Sequence, residues 1–543
     1  MTWKSPDIPE EQNTPLVRQL LDIIRRQQEH IDRLEEEIAR LKGLKGRPVI
    51  SPSRLEQPPR QPPTPGKKRP GSQKRAKTAE LIAAPKLVPL DDKPPGSIFK
   101  GYEDFYVQDL KIEPYALCYR RERWQTPDGQ MLVAPLPADV IPGSHFGPDL
   151  ISFILHQYHH QHVTQPLLLE QLSQWGVDIS AGQLNRIVTE KAEVFHREKD
   201  LLLPAALEVS PYIQVDDTGA RHMGRNGYCT HIGNELFASF ESTDSKSRLN
   251  FLEILLRPYT DYVIDEVAVA YWKEQGLPAR FVQKLNQGPG QFSDAPAWRA
   301  YLEELAITGE RHVRIASEGA LLASLIAHGV SPDLGIVSDG AGQFDVFVHV
   351  ACWIHAERPL ARMVTYSDAE LAVIERVRQQ IWELYQELKA YREKPSQAQR
   401  PVLEARFDEL CGQCTGFPGV DAVLKGMSNR RADLLRVLHR PEVPLHNNLS
   451  EGHVRDYVKK RKISGSTRSA LGRRARDTFA SLKKTCRRLG VNFWAYLQDR
   501  VRGRGQIPPL PELIRQRGGE LWPPKDLAVL PPQAQGGAAL HPT

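Results

Sequence analysis

PYIQVDDTGARHMGRNGYCTHIGNELFASFES, residues 211–242, is the stretch on which the fold turns. It reads as a strand ending in two acids, Asp216 and Asp217, then a loop, then a hairpin of alternating strands. A carboxylate carried out of a central strand beside a meander is a candidate cation ligand, set against the commoner uses of a strand-end acid as a loop cap or salt-bridge partner.

A second acid follows the same grammar. Leu334-Gly-Ile-Val-Ser-Asp339-Gly is a short apolar run with an aspartate at its C-terminal end, where ligand sites lie in sheets with parallel strands. A third stands in HNNLSEGHVRDYVKKRK, residues 446–462. There Asn448 or Ser450 is expected to cap a helix with Glu451 in its first turn, and Arg455 and Lys459 follow on the same face. Asp216, Asp339 and Glu451 are candidates for a carboxylate triad on a ribonuclease-H-like core within an α+β multidomain chain, although in a chain of 66 acids each also fits a loop cap or a salt-bridge partner. Such a triad suits two Mg²⁺ ions, with Mn²⁺ as substitute, because Mg²⁺ prefers a few carboxylates plus water and phosphate. Two ions at a phosphodiester can activate the attacking oxygen and stabilise the leaving one.

The surrounding sequence is read outward from that core. Val17, Leu20, Ile24, Gln27, Ile31, Leu34, Ile38 and Leu41 alternate at three and four residues, which predicts a coiled coil over 14–42 and hence a homodimer. Residues 43–80 carry eight prolines among GKKRP and SQKRAK and predict an extended basic linker. Short Val-, Tyr- and Phe-rich runs predict a small β-rich module over 85–145. Residues 146–200 predict helices, with a helix-turn-helix outline around Gly176 to Ser180 whose second helix carries Gln183, Asn185 and Arg186 toward a DNA groove. The catalytic domain is placed at 208–500, with insertions at 245–312 and 366–440, and a flexible Pro- and Gly-rich tail at 505–543.

Charge supports a polyanionic partner. The 543-residue chain has a formal charge of +6, but Lys42 to Lys77 carries +10 and Arg455 to Arg488 carries +11, leaving −15 for the rest. Segregated cations are what counterion release from DNA requires, and Arg455, Lys459, Lys460, Arg461 and Lys462 are the candidate contacts beside Glu451. Six scattered cysteines argue against a disulfide framework, and no apolar run is long enough for a membrane span, so a cytoplasmic, nucleoid-associated location is expected. Cys411-Gly-Gln-Cys414 lacks a second ligand pair, so no zinc is expected.

Four segments give the chain a family likeness over roughly residues 105–495: VAPLPADVIPGSHFGPDLISFIL with LLLEQLSQWGVDISAGQLNRIV, IQVDDTG, VSDGAGQF with ACWIHAER, and PLHNNLSEGHVRDYVKKRKISGS. They resemble the transposases of the IS-sixty-six (IS66) insertion-sequence group, the TnpC-type DDE transposases. The resemblance implies Asp216, Asp339 and Glu451 as the catalytic triad, with Asp217 as a supporting ligand and His355 as a further site residue. It also implies strand cleavage at the ends of a mobile element, attack of the freed 3′-hydroxyl on target DNA, and dependence on small helper proteins of the same element. The cysteine-rich zinc module common in that family has no counterpart here, because the stretch before the helices holds only Cys118. Two other readings compete: a DNA-binding or architectural relative without catalysis, and a structure-specific nuclease of the same fold.

Overall fold

The computed structural model describes residues 86–522 except 108, 138–139, 142, 191 and 366, together with residues 14, 17, 19–20, 22–24, 26–27 and 30. The chain divides into two units, residues 1–117 and 118–543. In the first, the described positions from 17 to 30 are helical, and Leu20 and Ile24 of the expected seam are 50% and 42% exposed. Positions 31–42 of the expected coiled coil and the whole basic linker lie outside the described residues. Residues 86–117 contain neither helix nor strand among the described residues, and Val88, Phe105 and Leu110 are exposed.

In the second unit the expected β-rich module reduces to one hairpin, β1 (Arg123–Gln125) with β2 (Met131–Val133). Met131, Leu132 and Val133 are all exposed, so no apolar face is covered. A hairpin without a layer against it has little to extend its ladder. Helices follow at Pro148–Leu155, Gln165–Gln174, Ala181–Thr189, Glu193–Asp200 and Leu202–Val209, with a π-helical turn at His156–His160. Ser180 caps the third as expected: its hydroxyl accepts from Gln183 N at 3.2 Å, and Gln183 Oε1 accepts from Ser180 N at 2.8 Å.

The centre is a mixed five-stranded sheet made of β3 (Tyr212–Gly219), β4 (Tyr228–Gly233), β5 (Ala238–Thr243), β8 (Gly335–Ser338) and β9 (Val348–Ala351), in the order β5-β4-β3-β8-β9. The first three pair antiparallel, and β8 and β9 add in parallel beyond β3. Alternate residues feed different cores, as the two-residue period requires. Ile213 and Val215 join the larger apolar cluster, while Tyr212 joins a second one with Val337 and Val350.

Both expected insertions are folded layers. Residues 248–304 form four helices and the short pair β6 (Tyr262–Val263) and β7 (Gln291–Phe292), packed around helix Glu310–Ala327. Trp272 and Trp298 anchor them, both fully buried, with indole N–H groups donating to Ala316 O (2.9 Å) and Ser317 Oγ (2.8 Å). Helices Asp368–Glu393, Gln399–Cys411 and Pro418–Asn429 build the second core around Trp353.

The expectation of a flexible tail from 505 needs correction up to residue 522. Helix Leu510–Leu521 packs on Leu202–Val209 with Leu510 and Ile514 wholly buried. A Cβ at Gly518 would lie 2.3 Å from Val209, so this glycine is there for contact. No helix among the described residues is long and apolar enough to cross a membrane.

Candidate active site

Strand β3 does not stop at the two acids. It pairs with β4 through Gly219, which sets Asp216 opposite His231 and Asp217 opposite Thr230. Successive side chains face opposite sides, so the two carboxylates have different company. Asp217 is held by Thr230 Oγ1 (2.6 Å) and Gln343 Nε2 (3.0 Å).

Asp339 follows the last residue of β8, the strand parallel to β3. Its turn is built locally: Gly340 takes φ +93°, its N–H donates to Ser338 Oγ at 3.0 Å, and Ala341 N–H donates to Asp339 Oδ1 at 3.0 Å. The Arg430 guanidinium lies where a side chain at Gly340 would go, 2.2 Å from an ideal Cβ.

Glu451 sits in the first turn of helix Asn448–Ser464. The expected caps are displaced by tertiary contacts. Asn447 precedes the helix, and its Nδ2 donates to Val215 O at 2.7 Å, which ties the helix start to the residue before Asp216. Ser450 accepts from a buried chain instead. Arg488 donates to His453 Nε2 (3.2 Å), which leaves the His453 proton on Nδ1, donating to His231 Nε2 (2.9 Å); His231 Nδ1–H then donates to Ser450 Oγ (2.5 Å). Both imidazoles stay neutral because burial pushes them down, His453 to about 3.

The three predicted acids share one field. Burial, then the charges of Asp339, Asp217 and Glu451, push the Asp216 carboxyl up to about 7 against one opposing backbone hydrogen bond. Burial also raises Asp217, offset by Thr230 and Gln343. Glu451 is met by cations: Arg358 Nη2 at 3.2 Å on Oε1 and Arg455 Nη2 at 2.7 Å on Oε2. His355 Nε2 lies 3.6 Å from Glu451 Oε1, while its Nδ1 is buried without a hydrogen-bond partner among the described residues. Burial and Arg358 lower His355, so this is a neutral contact at neutral pH. Among the described residues no group of three His, Cys, Asp or Glu stands close enough to hold a metal ion.

The expected DNA contacts divide. Arg455, Lys459 and Lys462 are exposed, and Arg461 reaches Thr218 Oγ1 at 3.5 Å. Lys460 turns inward: it donates to Tyr158 O at 2.6 Å, covers the Tyr158 ring, and burial brings it down to about 7. On the expected recognition helix, Arg186 is exposed, Asn185 Oδ1 accepts from Gln165 (3.2 Å), and Gln183 is spent on the cap. Sequence reasoning missed Arg358, His231 and Arg430. Only Arg358 carried a signal, one helical turn after His355 in a segment already singled out.

Residues 337–475 match the model of the family described as "Transposase IS66 family". The chain is also 41% identical over 317 residues to "Uncharacterized protein y4jO" of Sinorhizobium fredii, an alignment covering 58% of this chain and 99% of that protein.

Proposed function

The chain belongs to the IS66 transposase family, and from that premise we propose a DNA transposase with Asp216, Asp339 and Glu451 as its catalytic carboxylates on a ribonuclease-H-like core. It would cut strands at element ends and join the freed 3′-hydroxyl to target double-stranded DNA. The observation that carries this is the shared field at Asp216: burying one carboxyl among three others is unfavourable unless a cation or phosphate-bound cation site is its purpose. The order of the sheet, three antiparallel strands followed by two parallel ones, supports the fold reading.

The donors suit Mg²⁺ or Mn²⁺ in kind, being hard carboxylate oxygens, and a bound ion would have to draw the three together, since they do not stand at ligand spacing here. Asp216, Asp339 and Glu451 would hold the ions, with Asp217 in support, and bound ions would supply Lewis-acid chemistry at the phosphodiester. Glu451 would then exchange Arg358 and Arg455 for the cation. The released guanidiniums are placed to take phosphate oxygens, which Arg binds in the same bidentate way as carboxylate. Asn447 holds the start of the Glu451 helix to β3 and His231 holds it to β4, and His355, neutral, can donate to or accept from a substrate oxygen. Homodimerisation through the N-terminal helix and assistance by small helper proteins belong to the same proposal.

The test is cleavage and joining by the purified full chain with Mg²⁺ on DNA carrying the ends of its own element, native against Glu451→Gln. Native activity with a variant that binds DNA but neither cuts nor joins supports the reading. Binding without cutting by both, with helper proteins present, favours an architectural protein; cutting without joining favours a nuclease.

A further inference from the structure

A second basic site lies away from the carboxylates. An open groove of about 680 Å³ is bounded by the π-helical turn His156–His160, the loop after it, the end of helix Ala470–Arg488 and the start of helix Phe493–Arg502. That volume is within the roughly 300–1,000 Å³ of pockets that take small ligands.

Three features single it out. First, its wall is a π turn, a geometry rare enough to be found mostly at functional positions. The turn buries His159, stacked on Phe479 at 3.9 Å, and sets His156 and His160 together with ring centroids 4.7 Å apart. Trp494 stands edge-on to His156 at 5.5 Å. Second, His162 holds φ +62°, a strained conformation for a non-glycine residue, and its Nδ1 is buried with no hydrogen-bond partner among the described residues. Third, the cations here are only partly used. Lys483 donates to His159 O at 3.3 Å, and Arg487 is exposed with no acidic partner among the described residues. The single lining acid, Asp456, is taken by Lys484 and Lys459. Aromatic planes beside unneutralised cations and an unpaired imidazole nitrogen are the chemistry that takes a base and its phosphate.

We propose that this groove receives one unpaired nucleotide of the DNA substrate, its phosphate on Lys483 and Arg487 and its base against His156 and Trp494. Asp456 in the groove wall lies on the helix that carries Glu451, five residues on and therefore about 140° around it. The groove thus flanks the candidate active site from behind the Glu451 helix, where a displaced nucleotide near a cut end can be parked. The proposal rests on the transposase reading.

The probes are two labelled duplexes of one sequence, blunt or with a short single-stranded overhang, bound to the full chain in a metal-free buffer. Native protein is expected to prefer the overhang by roughly five- to one-hundred-fold, the worth of one stacked base. Trp494→Ala should erase that preference and leave blunt-duplex affinity unchanged, while Trp494→Phe should keep most of it. Arg487→Glu should weaken overhang binding and flatten its salt dependence by about one phosphate contact. Equal native affinity for both duplexes, or a preference that survives Trp494→Ala, overturns the groove proposal alone. Failure of native protein to bind either duplex overturns the transposase reading with it.

Discussion

Asp216→Asn should make the metal-free protein more stable, and only above acidic pH. Burial and like charge raise this carboxyl from its ordinary 3.8 to about 7. Between those values the folded chain keeps a proton that the unfolded chain has released. Native stability therefore falls as pH rises from about 4 through about 7 and stays lower above it. A displacement of about three units corresponds to about 4 kcal/mol, and solvent access to a half-buried group brings the expectation to about 2–4 kcal/mol. Asparagine keeps the shape and removes the charge. At roughly 1–2 °C per kcal/mol for a domain of this size, the variant should melt about 2–8 °C higher near pH 8 and level with native near pH 4. Thermal unfolding in a chelating buffer at both pH values measures this. Adding Mg²⁺ should then raise the native melting temperature and move the variant much less, because the repelling carboxylates are what a cation relieves. A melting difference that does not change with pH, or a variant less stable than native near pH 8, would refute the reasoning.

Three other perturbations follow from the same contacts. His231→Phe strands His453 Nδ1–H and Ser450 Oγ in a buried place; about 2–4 kcal/mol of stability should go, and cleavage should fall while DNA affinity holds, so unchanged cleavage would deny the chain any hand in placing Glu451. Gly340→Ala forces a side chain onto φ +93° and against Arg430, costing about 1–2 kcal/mol from the backbone alone. Adding Arg430→Ala should restore only the steric part, and full recovery in chemical denaturation would mean the backbone is not strained. Lys462→Ala should lower the salt dependence of DNA binding by about one contact, whereas Lys460→Met should leave that slope alone and change stability instead; the reverse pattern would contradict the inward placement of Lys460.

What the sequence made legible was whatever local pattern controls. The acids of β3 and β8 stand out because each follows an apolar run, and Gly340 marks the turn that Asp339 needs. Pattern could not say where β3 ends, since its length is set by pairing of Gly219 with Tyr228. Nor could it cap the Glu451 helix correctly, because Asn447 serves Val215 and Ser450 serves His231, partners more than 200 residues away. The second insertion was visible as helix, but Trp353 as its anchor was not. The C-terminal helix hid behind its Pro and Gly content, although its Gly518 is a packing residue.

Lys460 is a different kind of miss, because the sequence did contain the answer. Positions 455, 459 and 462 fall within about 80° of Glu451 around an ideal helix, and position 460 falls opposite. Reading the run KKRK as one patch ignored that rotation. The same holds for the net charge of the 455–488 stretch. Lys484 answers Asp456, Arg473 answers Asp244, Arg474 answers Asp200, and Arg488 feeds the histidine chain. Lys484 and Arg488 tie the Glu451 helix to its neighbour, and Arg473 and Arg474 tie that neighbour to the end of β5 and to helix Glu193–Asp200, so these cations are already engaged. Among the others, Lys462 stands beside Glu451 with Arg455 and Lys459, which pair with acids of their own helix, and Lys483 with Arg487 lines the groove behind it. A strand that crosses the carboxylates would meet the first group, and only a nucleotide leaving the duplex would reach the second.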